Sequence, residues 1–378
     1  MIRANSIPDL RRIALRRIPR AIFDYADGGS YAELTLNANR RDLDAVTLRQ
    51  KVMVDVSARS TASTMVGQPV ALPLAIAPTG LTGLFHPDGE IHGARAARAA
   101  GMPFCLSTMS ICSIEDVAAA VDQPFWFQLY VMRDRGFTHA LVARAKAANC
   151  SALVVTLDLT VQSQRHRDVK NGLAVPPRLT LKNALDVLTK PAWALGVLNG
   201  KRRTFGNLVE LAKASDLPTL SAWTQSQFDP SMNWGDIETL RKLWPGKLIL
   251  KGVMDVEDAR IAAGTGADAI VVSNHGGRQL DSAPSSISVL PAIAEAVGDK
   301  VEVLFDGGIQ SGQDVMKALA LGAHGCLMGK AFLYALAAGG EAGVKRAIEI
   351  IAAELSISMA FAGVTEVGAI DRRVLQGR

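Results

Sequence analysis

Residues 273–281 read SNHGGRQLD and set His275 and Arg278 three positions apart in a glycine-containing segment. An imidazole can take a proton near neutral pH. A guanidinium fork holds a carboxylate at two points. Gly276 and Gly277 let a ligand approach the backbone closely. Together these residue types fit proton abstraction from a small carboxylic acid. The plainer alternative is a loop-capping histidine beside a surface ion pair.

The run before this segment, Ala269-Ile270-Val271-Val272, has the nearly continuous apolar character of a buried parallel strand. Similar runs recur at 74–77, 103–107, 125–129, 152–157, 248–251, 302–305 and 325–328. Ala-rich helical stretches separate most of them: Ile91–Ala100, Ile114–Val121, Thr138–Ala148, Val256–Gly264 and Gln313–Leu321. Eight such repeats predict an α/β fold, a closed (β/α)8 TIM barrel. A doubly wound open sheet is the alternative; the strand count and the lack of an early GxGxxG fingerprint disfavour it. In a barrel the strand C-termini share one face, where sites are built. Gln128 and Tyr130 end the third strand, Thr156 and Asp158 the fourth, Lys251 the fifth, and Ser273 and His275 the sixth. Asp306-Gly307-Gly308 follows the seventh and Gly329-Lys330 the eighth. These residues are therefore predicted to converge. Glycines followed by helices at the last two strands suit a phosphate, with Lys330 adding charge.

At 378 residues and 49% hydrophobic, the chain is long and apolar enough for one large barrel spanning 1–378. Residues 1–70 are expected to form an N-terminal helical segment. Ile7, Leu10, Ile13, Ala14, Leu15 and Ile18 recur there at helical spacing beside Arg11, Arg12, Arg16, Arg17 and Arg20, which favours a helix packed under the barrel over a transit peptide. No apolar run is long enough to span a bilayer. Cys105, Cys112, Cys150 and Cys326 are scattered without metal-ligand spacing and read as reduced thiols, so no metal is expected. A net charge of +5 without an aromatic-interleaved basic stripe argues against nucleic acid.

An interval of about ninety residues between the fourth and fifth strands breaks the rhythm. Its insertion, 165–235, is basic and apolar at once. Over residues 165–203, Arg165, Arg167, Lys170, Arg178, Lys182, Lys190, Lys201, Arg202 and Arg203 stand against only Asp168 and Asp186. Leu179, Leu181, Leu185, Leu188, Trp193, Leu195 and Leu198 are mixed among them. Such a segment can lie on an anionic membrane surface; a lid or a subunit contact is the alternative. The expected location is cytoplasmic, with peripheral contact at the inner face of the cell membrane.

SNHGGRQLD also resembles the signature of the FMN-dependent L-2-hydroxy acid oxidases and dehydrogenases, among them L-lactate dehydrogenases, mandelate dehydrogenases and glycolate oxidases. The resemblance runs over almost the whole chain. It implies FMN as cofactor and a small 2-hydroxy acid as substrate. Pro78, Thr79 and Gly80 would then lie along the flavin ring, with Ser107, Gln128 and Thr156 hydrogen-bonded to it. Lys251 would stand beside the ring nitrogen where negative charge develops, close to Ser273. Asp306 would hold the ribityl chain, and Gly307, Gly308, Gln310, Gly329 and Lys330 the phosphate. Tyr25, in the segment Phe23–Gly29, would bind the substrate carboxylate with Arg165 and Arg278. Tyr130 would contact the substrate hydroxyl, and Asp158 would orient His275.

Two positions depart from the family's pattern. Gln310 stands where many members carry arginine, which removes a charge from the phosphate site. Met109 stands where glycolate oxidases carry a large aromatic, leaving room for a methyl or larger group. L-lactate is accordingly the first substrate expected, with mandelate or another 2-hydroxy acid next. Gly80, where many oxidases have alanine, and the basic insertion point to a dehydrogenase feeding a quinone or other respiratory acceptor. An oxygen-using oxidase, an FMN-barrel isomerase and a non-enzymatic membrane-surface binder are the competing readings. By resemblance the chain is expected to form a homo-oligomer, a tetramer.

Overall fold

A computed structural model of the chain describes residues 2–173, 180–200, 202, 204–209, 223 and 226–377. Three helices come first: α1 (Ile7–Arg17), α2 (Arg20–Asp27) and α3 (Leu34–Ala45). A short antiparallel hairpin follows, β1 (Ser63–Met65) and β2 (Gln68–Val70). The expectation of a purely helical segment over 1–70 is corrected here. Val66 and Gly67 turn the hairpin with φ of 50° and 73°, the left-handed pair that tight hairpins use. Strands of three residues carry too little alternation to be seen in sequence.

The barrel then alternates strand and helix: β3 (Leu74–Ile76), α4 (Gly89–Ala99), β4 (Cys105–Ser107), α5 (Ile114–Ala120), β5 (Trp126–Leu129), α6 (Arg135–Ala147) and β6 (Ala152–Thr156). The insertion supplies α7 (His166–Lys170), α8 (Leu181–Leu188) and α9 (Pro191–Asn199), followed by α10 (Trp234–Leu243). The second half is β7 (Lys247–Val253), α11 (Val256–Gly264), β8 (Ala269–Val272), α12 (Ser286–Val297), β9 (Glu302–Asp306), α13 (Gly312–Ala320), β10 (Gly325–Met328) and α14 (Lys330–Ala362). Among the described residues eight parallel strands pair in the order β3-β10-β9-β8-β7-β6-β5-β4, and a parallel bridge from Ile76 to Phe104 joins the two ends. The predicted (β/α)8 barrel is the observed fold.

Strand parity divides the core in two. Leu74, Leu106, Phe127, Leu153, Leu250, Ile270, Val303 and Cys326 belong to the large cluster under the helices. Ala75, Cys105, Trp126, Val154, Ile249, Val271, Leu304 and Leu327 form a separate inner cluster. Met65, Val66 and Val70 of the hairpin join that inner cluster, so the hairpin caps the end of the barrel where the strands begin. Side chains alternate with period two along a strand. Two residues beyond the inner layer the chain places Ala77, Ser107, Gln128, Thr156, Lys251, Ser273, Asp306 and Gly329. The polar residues predicted to converge are thus the next inward layer at the C-terminal mouth.

At the other end of the chain, α1 packs against α14 through its buried Ile7, Leu10 and Ala14. Each buried Leu or Ile contributes roughly 1.5–3 kcal/mol. Ser6 starts α1 by accepting from the Asp9 amide. The helix expected from the spacing of these residues is present, and it lies along α14.

Candidate active site

The floor of the mouth is tied together by two short hydrogen-bond chains. Ser107 Oγ donates to Gln128 Oε1 at 3.1 Å, and Gln128 Nε2 donates to Thr156 Oγ1 at 2.9 Å. On the facing strands, Lys251 Nζ lies 3.0 Å from Ser273 Oγ and 2.9 Å from Asp306 Oδ2. Ser273 Oγ donates to the same carboxylate oxygen at 2.7 Å. Burial pulls Lys251 down, but Asp306 and Asp158 outweigh it and hold the ammonium above its ordinary range. A fixed positive charge therefore stands at the centre of a water-poor floor.

His275 follows β8 with φ of 58°, a left-handed conformation that is costly for a residue with a Cβ. Its amide donates to Ser273 Oγ at 3.1 Å, and its Nδ1 is 3.0 Å from Asp158 Oδ1. Nε2 is left toward the cavity. Burial, against the pull of Asp158, keeps the imidazole below its ordinary value. Burial alone would raise the Asp158 carboxyl; His275 and Lys251 reverse this and hold it ionised. The pair is a neutral base steered by a carboxylate.

Gly252 makes that pair possible. It sits in the β7–β8 register shift with φ of 105°. A Cβ there would lie 2.7 Å from Asp158 Cγ. The sequence reading passed over it, although a lone glycine inside a strand signals a close backbone approach.

Two guanidiniums share the cavity with His275. Arg165 is half-buried, and its buried Nε has no hydrogen-bond partner among the described residues. Burial and the neighbouring Arg278 lower it to about 10, so it stays charged at neutral pH. Arg278 donates from Nη1 to the carbonyls of Tyr25 and Gly28, and its guanidinium lies 4.7 Å over the Tyr25 ring. Tyr130 is half-buried, edge-on to Phe228 with ring centroids 6.0 Å apart. Burial and the Asp158 charge push its phenol up, so it remains a donor.

Tyr25, Pro78, Thr79, Gly80, Ser107, Tyr130, Arg165, Lys251, His275, Arg278, Asp306, Gly307, Gly308, Gln310, Gly329 and Lys330 all line one cavity of about 330 Å³. Gln128, Thr156, Asp158 and Ser273 do not line it; Gln128, Asp158 and Ser273 bond to residues that do, and Thr156 bonds to Gln128. Met109, Leu84, Phe205 and Phe228 add apolar wall. Asp168 and Arg40 also line it, and the sequence reading had assigned neither. Burial raises the Asp168 carboxyl, against the pull of Arg278 and Arg165.

The far end of the cavity fits a phosphate through backbone amides. Gly307 and Gly308 have φ of 138° and 92°, and together with Gly329 they leave their amide groups without an acceptor among the described residues. Side-chain cations there are engaged elsewhere. Arg40 binds Asp44, Asp314 and the Gly308 carbonyl. Lys330 Nζ donates to the carbonyls of Ala26, Asp27 and Gly28 at 2.8, 3.1 and 2.7 Å. The Gln310 amide donates to Asp314 Oδ2 at 2.9 Å. Thr79 Oγ1, buried between Pro78 and Gly80, has no hydrogen-bond partner among the described residues. A planar group with hydrogen-bonding edges and a phosphate tail fits these positions.

The insertion departs from its expected basic surface. Arg167 pairs with Asp27 and Glu33, Arg202 with Asp88 and Asp116, and Lys190 Nζ donates to the Arg16 carbonyl. Much of its charge is thus spent inside the protein. Leu181, Leu185, Leu188 and Leu195 remain 60–87% exposed. Arg178, Leu179, Lys201 and Arg203 lie outside the described residues, as does the side chain of Lys182. No described helix is long and apolar enough to cross a membrane.

The chain is 49% identical over 376 residues to L-lactate dehydrogenase of Caulobacter vibrioides (strain NA1000 / CB15N), covering 99% of this chain and 98% of that one. It is 46% identical to L-lactate dehydrogenase of Pseudomonas syringae pv. syringae (strain B728a), with 98% of each chain covered. Among solved structures, the monotopic membrane protein (S)-mandelate dehydrogenase superposes with a TM-score of 0.95 at 38% identity, over 100% of both chains. A mandelate oxidase superposes with a TM-score of 0.84 at 39% identity, over 99% of this chain and 98% of that one. The sequence pattern of the FMN-dependent dehydrogenases matches residues 14–377, and with this geometry in place the chain belongs to that family of FMN-dependent oxidoreductases.

Proposed function

We propose that this protein oxidises an L-2-hydroxy acid, L-lactate to pyruvate in the first instance. The observation that carries the reading is the His275–Asp158 pair opening on the same cavity as Arg278, Tyr25, Tyr130 and Arg165, whose buried Nε has no partner among the described residues. Arg165, Arg278 and Tyr25 bind the substrate carboxylate, which fixes the molecule in one orientation. Tyr130 donates to the substrate hydroxyl. His275 Nε2 takes a proton from the substrate, and Asp158 holds the resulting imidazolium. FMN, when bound, supplies the two-electron acceptor. Its ring would rest on Pro78, Thr79 and Gly80 and on the Ser107–Gln128–Thr156 chain, with Lys251, Ser273 and Asp306 opposite. Its phosphate would take the amides of Gly307, Gly308 and Gly329, beside Gln310.

Support for L-lactate comes from the relatives of that name and from Met109, whose flexible side chain leaves room for a methyl group. Mandelate is the second reading, favoured by the solved neighbours. Delivery of electrons to a membrane quinone is favoured by the exposed leucines of α8 and α9. Trp193 on α9 donates to the carbonyl of Leu84, itself a wall residue of the cavity, at 2.7 Å. Peripheral membrane attachment of the solved mandelate dehydrogenase points the same way.

His275→Ala tests the assignment. The variant should bind FMN as the parent does and lose roughly 10²–10⁴-fold in the rate of flavin reduction by L-lactate. Reduction at the parental rate removes His275 from this role.

A further inference from the structure

We infer that Lys330 is a positioning residue for the substrate carboxylate site, and that it contributes no charge to the cofactor phosphate. It is the first residue of α14, directly after Gly329 in the phosphate cradle. Its side chain does not turn back to that cradle. The stem runs beside the catalytic loop, where a Cβ on Gly276 would meet Lys330 Cε at 3.8 Å. The ammonium then ends on the carbonyls of Ala26, Asp27 and Gly28. An ammonium has three N–H donors, and three carbonyls take them all.

Those carbonyls are the unpaired ones that close α2, and a cation at a helix C-terminus is favourable. Tyr25 sits in the same last turn. Arg278 grips that turn from the other side, through the Tyr25 and Gly28 carbonyls and across the Tyr25 ring. Two cations thus hold one helix end. Gly28 O receives both, Lys330 at 2.7 Å and Arg278 at 3.2 Å. Removing Lys330 leaves the Ala26 and Asp27 carbonyls without their donor and Gly28 O with Arg278 alone, and lets Tyr25 and Arg278 drift from the carboxylate they share. Arg40 is committed to Asp44 and Asp314, and Gln310 is neutral. The phosphate would therefore be held by amides and the helix N-terminus, with no free side-chain charge among the described residues there.

This rests on the 2-hydroxy acid reading above. The test is Lys330→Met in the holoprotein, assayed with L-lactate and a soluble dye, with FMN affinity read separately by flavin fluorescence. We expect KM to rise about tenfold with kcat within about threefold, the pattern of lost uniform binding. FMN Kd should stay within about threefold. An unchanged KM, or an FMN Kd weakened more than about tenfold, overturns the assignment. Should the variant fail to fold, the parent protein decides. Without a free cation at the phosphate, its FMN Kd should change less than about twofold between about 50 and 500 mM salt; a steeper loss overturns the inference. If no 2-hydroxy acid reduces the parent's flavin, the functional reading fails by itself, while both FMN measurements still report where the Lys330 charge goes.

Discussion

Burial acts on both members of the His275–Asp158 pair, favouring the neutral imidazole that a base needs but opposing the charge on Asp158. A buried carboxylate would take up a proton and a buried imidazole would give one up. Their 3.0 Å contact and the nearby Lys251 keep Asp158 charged, while burial, against the pull of Asp158, keeps His275 neutral. The sign for catalysis follows. A base works when unprotonated, and its value lies below the ordinary 6.5, so activity should persist into mild acid. We expect the acid limb of kcat/KM for L-lactate to have its midpoint below 6.5. Asp158→Asn removes a group that raises the imidazole, so the limb should move further toward acid as the rate falls. A pH profile of both proteins checks this, and a midpoint above 6.5 in the parent contradicts it. The His275–Arg278 pair was legible because its residues are adjacent in sequence. Asp168 and Arg40 were not, because helices remote from the strand ends carry them into the cavity.

At the scale of elements, strand parity does most of the positioning. Apolar inner residues on each strand explain why the polar residue two positions on faces the mouth; in the sequence Gln128, Thr156, Lys251 and Asp306 were readable from their place at strand ends, and Ser107 through the family resemblance. What parity could not show was backbone approach. Gly252 lets β7 pass against Asp158, and Gly252→Ala would combine a strained φ of 105° with a 2.7 Å overlap. Displacing Asp158 from His275 should lower kcat roughly 10–100-fold while leaving KM and the barrel's circular dichroism near the parent's. Parental turnover in this variant would mean that the pair tolerates a shifted carboxylate. The hairpin β1–β2 escaped notice for a similar reason. Its three-residue strands are defined by a left-handed turn and by burial inside the barrel, neither of which is a periodic signal.

Across the whole molecule, the insertion is fastened to both ends of the site. Asn171 Nδ2 donates to Asp24 on α2 at 2.9 Å, and Arg202 bridges Asp88 and Asp116 beneath α4 and α5. Its outward leucines are left without protein cover. Leu181, Leu185 and Leu188 recur at i, i+4 and i+7, one face of α8. Replacing all three by serine should release the protein from anionic vesicles in a sedimentation assay while turnover with a soluble dye stays within about twofold. Continued sedimentation would move the attachment elsewhere. The sequence showed that this segment was basic and apolar. It did not show that Arg167, Lys190 and Arg202 face inward, because their partners lie on the N-terminal helices and on the loops around α4 and α5.

The measurement that bears most directly on the account is the anaerobic absorbance spectrum of the purified protein before and after L-lactate. The account predicts flavin bands that bleach at once, with pyruvate formed in equal amount. Bands that persist with L-lactate and also with mandelate and glycolate would contradict the assignment of His275, Arg165 and Arg278 to 2-hydroxy acid oxidation.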